Sequence, residues 1–117
     1  MLTHAIDQGV LVISFHGEIG ISDRAAVALE TERLVRTCSP HCVVVELAES
    51  AVSPAGVSLV LRAHRLCGQW GMPLAVVTSA PEAQQLVAAN AGSAGPLVFA
   101  TVAQAVRGLS RGQELAS

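Results

Sequence analysis

Val43-Val44-Val45-Glu46-Leu47-Ala48-Glu49-Ser50-Ala51-Val52-Ser53-Pro54-Ala55-Gly56 decides the fold of this chain. From Cys42 to Leu47 the residues are β-branched and almost continuously apolar, as an inner strand covered on one or both faces requires. A run of small residues follows. Ser53 then stands at an N-cap position, with Pro54 as the first helical residue. A helix start of this kind projects free backbone N–H groups and the positive end of the helix dipole. A hydroxyl held there suits a structural cap, a phosphorylation site or the centre of a docking surface.

The helix that begins at Pro54 is expected to reach Gln69. Val57, Leu59, Val60, Leu61, Ala63, Leu66 and Cys67 cover well over half of its circumference, leaving Ser58, Arg62, Arg65 and Gln69 as a narrow polar stripe. So wide an apolar arc implies burial against more than a sheet face, either beneath neighbouring helices or in an interface. His64 lies inside that arc and reads as a partly buried, hydrogen-bonded core histidine.

Upstream, Leu2–Ile6 and Val10–Phe15 are short apolar runs separated by Asp7-Gln8-Gly9, where Gly9 supplies the positive φ of a tight hairpin. Gly17 and Gly20 interrupt the pattern, and a helix is expected from Asp23 to about Thr37. Val27, Ala28, Thr31, Leu34 and Val35 form its apolar stripe, with Leu29 outside it. Downstream, Leu74–Val77 is a strand. Ser79 and Glu82 have capping-box spacing before a helix that ends at Gly92. After a loop at 93–96, a strand over 96–100 and a second capping pair, Thr101 and Gln104, open the last helix. Residues 111–117 read as a frayed polar tail and 1–110 as one domain. The order is β-β-α-β-α-β-α-β-α: a single α/β domain with a mixed sheet, antiparallel only at its start.

The 117 residues suit one core. Charge is nearly balanced, with seven arginines, no lysine and nine carboxylates, and aromatics are 3% of the chain. Neither phosphate neutralisation nor base stacking has its raw material, so no nucleic-acid partner is expected. No apolar run is long enough for a bilayer, and Met1-Leu2-Thr3-His4 lacks the pattern of a signal peptide. Hence no membrane partner is expected, and the cytoplasm is the expected location.

Three cysteines form no disulfide framework. Cys38, His41 and Cys42 cluster in sequence, as do His64 and Cys67, but they read as core residues rather than zinc ligands. No metal and no cofactor are expected. The chain contains no glycine-rich phosphate loop, serine elbow or nucleophile–base pair, so catalysis is not expected.

The order of elements resembles the STAS family, the sulfate-transporter and anti-sigma-factor-antagonist domain, over nearly the whole chain. Val12-Ile13-Ser14-Phe15-His16-Gly17-Glu18-Ile19 looks like the family's second strand and its glycine-glutamate turn. Val44-Val45-Glu46-Leu47 looks like the strand that usually ends in aspartate-leucine. Ser53-Pro54-Ala55-Gly56-Val57 occupies the place of the aspartate-serine-serine/threonine-glycine-leucine motif, with Pro54 where the phospho-acceptor serine usually stands.

The resemblance implies an anti-sigma-factor antagonist. Such a protein docks on a serine-kinase anti-sigma factor in a partner-switching pathway of transcription regulation. The implied docking surface comprises Ser50, Ser53, Pro54, Ala55, Gly56 and Ser58. Ser53 is the candidate for regulatory phosphorylation, because a phosphate there disrupts a snug interface by desolvation and repulsion. Two other expectations stand beside this one. One is a scaffold that has lost the switch and forms a homodimer through the wide apolar arc of the Pro54–Gln69 helix. The other is a domain binding a small ligand, nucleotide or lipid, in the sheet-edge cleft.

Overall fold

The computed structural model describes residues 2–91 and 96–116, without the side chains at 90, 91 and 110–116. β1 (Leu2–Asp7) and β2 (Val10–Phe15) form an antiparallel hairpin, Leu2 opposite Phe15 and Asp7 opposite Val10. Gln8 and Gly9 both have positive φ, at 51° and 81°, as the two central residues of a type I′ turn must. Gly9 is constrained twice over, because a Cβ there would strike the ring of His41, whose backbone N–H donates to the Gly9 carbonyl at 2.7 Å.

The remaining strands are parallel and lie in chain order. β2 pairs with β3 (Cys42–Leu47), β3 with β4 (Leu74–Val77), and β4 with β5 (Leu97–Phe99). Each crossover therefore steps in the same direction across the sheet. Right-handed connections stepping one way place their helices on one face. That face carries α1 (Arg24–Cys38), α2 (Pro54–Gln69) and α3 (Pro81–Ala91). α4 (Val102–Ala116) follows the last strand and covers β3, β4 and β5 on the opposite face.

The two cores follow from strand alternation. Leu11, Ile13, Phe15, Val43, Val45, Leu47 and Val76 face the three-helix side, whereas Cys42, Val44, Ala75 and Val77 face Ala105 and Leu109 of α4. Coverage on both sides explains why β3 is apolar almost without interruption. α1 buries Val27, Thr31, Leu34 and Val35 and leaves Leu29 68% exposed, so its stripe lies where the periodicity puts it.

The apolar arc of α2 is resolved by its position. The helix lies between α1 and α3 above β3 and β4, and Val57, Leu59, Val60, Ala63 and Cys67 are buried there. Burial on three sides uses the arc inside the monomer, so it is not available as the dimer surface read from the sequence. His64 is half-buried on the same helix and makes no hydrogen bond among the described residues, unlike the bonded histidine expected.

Desolvation holds the pKa of His64 below its ordinary value. Between the depressed folded pKa and the unfolded value near 6.5, the unfolded chain binds the extra proton. This contribution to stability is therefore intact above about pH 6.5 and declines as pH falls. Urea midpoints at pH 7.5 and 5.5 are expected to differ less in His64→Gln than in wild type.

α3 starts one residue later than a Ser79 cap implies. Pro81 is its first residue, Gln84 N donates to the Ala80 carbonyl, and Gln84 Nε2 donates to the Thr78 carbonyl at 3.1 Å. The start is thus tied by Thr78 and Gln84 rather than by a Ser79–Glu82 box. Before α4 the expected pair does form: Gln104 N donates to Thr101 Oγ1, and Gln104 Oε1 accepts from Ala100 N. The helix runs to Ala116, through most of the stretch read as a polar tail. The helix stop expected at Gly92 and the loop at 93–95 lie outside the described residues.

Candidate functional site

Because β2, β3 and β4 are parallel, the loops leaving their C-terminal ends gather along one rim. In open α/β sheets this end is where ligands and partners approach. Here the rim consists of residues 16–23 after β2, 48–53 after β3 and 78–80 after β4. The middle loop is pinned to its neighbour. Ala48 N donates to the Phe15 carbonyl at 3.0 Å, and Ser50 Oγ accepts from Gly17 N at 2.9 Å. Glu49–Ala51 is a 3-10 turn whose closing bond runs from Val52 N to the Glu49 carbonyl.

Ser53 is the N-cap of α2. Its backbone is extended, with φ −164° and ψ 166°, and its Oγ accepts from Gly56 N at 3.0 Å. Pro54 is the first helical residue and needs no N–H there. Gly56 has a reason of its own: a Cβ at this position would collide with the Ala51 carbonyl oxygen. The first turn of α2 is thereby pressed against the 3-10 turn, and the two serines Ser50 and Ser53 are fixed relative to each other through backbone.

The six residues read from the sequence divide by exposure. Ser50 and Pro54 are exposed, Ser53 and Ser58 half-buried, and Ala55 and Gly56 buried. The corner presents Ser50, Ser53 and Pro54 at the surface, with Ser58 one turn into the helix. Ala55 and Gly56 shape the corner from beneath, since their own atoms are turned into the fold.

The sequence reading missed the charge around them. Glu18 and Glu49 are exposed on adjacent loops, and Glu82 is exposed in the first turn of α3. Glu46, at the end of β3, accepts from Ser14 Oγ at 3.0 Å. Arg24 opens α1 directly after the first of these loops. A hollow of about 410 Å³ lies between the 3-10 turn and the start of α3, lined by Glu49, Val52, Ser79, Ala80, Pro81 and Glu82. With two carboxylates and no cation in its wall, it repels the phosphates of a nucleotide or a lipid headgroup. The signal for this rim was a glutamate in each of two loops and one in the first turn of α3, recognisable only once these segments are known to end at the same edge of the sheet.

The cysteines are separate from this chemistry. Among the described residues no group of three or more His, Cys, Asp or Glu side chains could hold a metal ion. Cys42 and Cys67 are buried and Cys38 partly exposed. Burial raises both buried thiols, that of Cys67 to about 11. A disulfide reagent at neutral pH is expected to titrate Cys38 quickly and the other two only on unfolding, because reaction needs an accessible thiolate. Fast labelling of all three would contradict this packing.

No family model and no curated protein sequence matches the chain. Solved structures do. The protein TM1081, determined by NMR, superposes with a TM-score of 0.75 at 12% identity, over 95% of this chain and 90% of that one. RsbS of Moorella thermoacetica, as a serine-to-glutamate variant, gives 0.74 at 13%, over 98% and 97%. The anti-sigma factor antagonist SpoIIAA, in its unphosphorylated form, gives 0.68 at 15%, over 96% and 99%. The likeness spans nearly the full length on both sides. The chain has the STAS fold of these proteins.

Proposed function

We propose that the protein is a regulatory binding module of the anti-sigma-factor-antagonist kind. It docks on a serine-kinase anti-sigma factor through the rim formed by Ser50, Ser53 and Pro54, in a partner-switching pathway of transcription regulation. The observation that carries this reading is the open corner at the start of α2. A capped serine and an exposed proline stand at the rim, on a rigid base made by Gly56 and the 3-10 turn. The fold supports it, since SpoIIAA has this fold and is known in unphosphorylated and phosphorylated forms.

Ser53 is the proposed switch. Its Oγ already accepts from Gly56 N, and an esterified oxygen bearing a phosphate would add about −1.5 to −2 charges at a rim that already carries exposed glutamates. An interface fitted to the neutral serine then meets a bulky, hydrated anion. The partner is a protein, and the module acts by occupancy rather than by chemistry of its own.

An affinity capture from the native cells with wild-type protein and Ser53→Glu tests the reading, with phosphopeptide mapping of bound and free fractions. Wild type is expected to retain a serine-kinase-fold protein near one-to-one, and the glutamate variant at least about tenfold less, a loss of about 1.4 kcal/mol. The urea midpoint should stay close to wild type, because the carboxylate that glutamate places at the helix N-terminus offsets the lost serine cap. Equal capture by both variants would remove Ser53 as the switch.

A further inference from the structure

The molecule carries a second surface whose charge opposes that of the rim. Between α1 and α2 runs an open groove of about 440 Å³, floored by Ala28, Leu59 and Ala63 and flanked by Arg62 and Arg65 from α2 and by Glu32 from α1. Small residues on its floor keep the two helices' surfaces recessed. On α1 the charges facing this groove are already used: Arg33 binds Glu30, and Arg36 binds Glu32 at 2.6 Å while lying 5.9 Å from the Trp70 ring centre, whereas Arg24, at the start of the helix, has no ion pair among the described residues. On α2, Arg62 and Arg65 are exposed and form no ion pair among the described residues.

Charge is therefore separated along the helices. Among the described residues, Glu18, Glu49 and Glu82 stand at the rim without ion-pair partners, and Arg62 and Arg65 stand in the groove without ion-pair partners either. Within one molecule they do not meet. Arg62 and Arg65 lie eight and eleven residues beyond Pro54, about 12 and 17 Å down the helix axis.

From this complementarity we infer that the groove receives the acidic rim of a second copy of this chain. Arg62 and Arg65 receive carboxylates of the neighbour's rim, Glu49 and Glu18 foremost, over the apolar floor. The contact is heterologous: groove meets rim, and each bound copy still offers the complementary surface. Such an association extends into an open chain or closes as a ring of several copies, rather than stopping at a two-fold dimer. The inference stands independently of the kinase-type partner. A partner needing the rim would compete with it, so self-association would hold the module in reserve.

The test is weight-average mass by light scattering over a concentration series of the full chain, at about 20 mM and about 500 mM salt, since exposed charge pairs are screened within a few ångströms at high salt. At low salt the mass is expected to rise with concentration past twice the monomer, and at high salt to stay monomeric. Arg62→Glu with Arg65→Glu, and separately Glu18→Arg with Glu49→Arg, should each abolish the rise. Mixing the two double variants should restore it, because each then presents a surface opposite in charge to the other's. All four positions are exposed, and an unchanged circular dichroism spectrum establishes that the variants fold. A monomer at every concentration in low salt overturns the inference. So does association that survives either charge reversal, or a dimer indifferent to salt, since each would place the contact elsewhere.

Discussion

Gly56→Ala is expected to destabilise the protein by about 3 kcal/mol, the upper part of the range for forced overpacking. The obstruction is the Ala51 carbonyl oxygen, a backbone atom fixed by the 3-10 turn, so no side-chain rotation relieves it. Either the turn or the first turn of α2 must move, and both carry the serines of the rim. Gly68, near the end of the same helix, is the internal control. A Cβ there meets nothing within 4 Å, and removing glycine from a helix interior restricts the unfolded chain. Gly68→Ala is expected to stabilise by about 0.5–1 kcal/mol. Urea unfolding of the two variants should thus shift the midpoint in opposite directions. If Gly56→Ala instead unfolds at the wild-type midpoint, the corner is more yielding than its packing indicates.

The second large effect is expected at Phe15. This side chain is 0% exposed at the end of β2, among the three-helix core, and its carbonyl accepts from Ala48 N directly beneath the rim. Phe15→Ala removes the ring from a site whose neighbours are held by strands and helix starts, so collapse is limited. The cost is expected at about 3–5 kcal/mol, a large share of the roughly 5–15 kcal/mol that stabilises a domain. Phe15→Leu retains most of the volume and is expected to cost about 1 kcal/mol. Leu29→Ala, at 68% exposure, should remain within about 0.5 kcal/mol of wild type. A Phe15→Ala loss no greater than that of Leu29→Ala would mean that the ring does not support the core as packed.

These variants also separate folding from docking. Phe15→Ala should reduce partner capture only through the unfolded fraction and recover it under stabilising conditions. Ser53→Glu should reduce capture with the unfolding midpoint unchanged.

Elements whose cause is local were legible in the sequence. β3 and α2 have the expected bounds because β-branched continuity, a serine–proline start and a long apolar arc each act over a few neighbouring residues. The Ser53 cap has the same locality, with donor and acceptor three residues apart. The start of α3 was misplaced because Ser79 and Glu82 satisfy capping spacing, yet Thr78 and Gln84 reach the competing backbone groups. The use of the α2 arc was ambiguous for a different reason: hydrophobicity records that a face must leave water, not what covers it.

By itself, the chain's order of residues determined the alternation of strands and helices, the tight hairpin at Gln8-Gly9, and a capped helix start at Ser53. The tertiary structure alone decided that three crossovers share one face, that Ala55 and Gly56 lie under the rim rather than on it, and that Glu49 and Glu82, from separate segments, line one hollow there. Periodicity and capping are set by contacts within a few residues, whereas strand order and loop adjacency arise from contacts between distant segments, which no local pattern encodes.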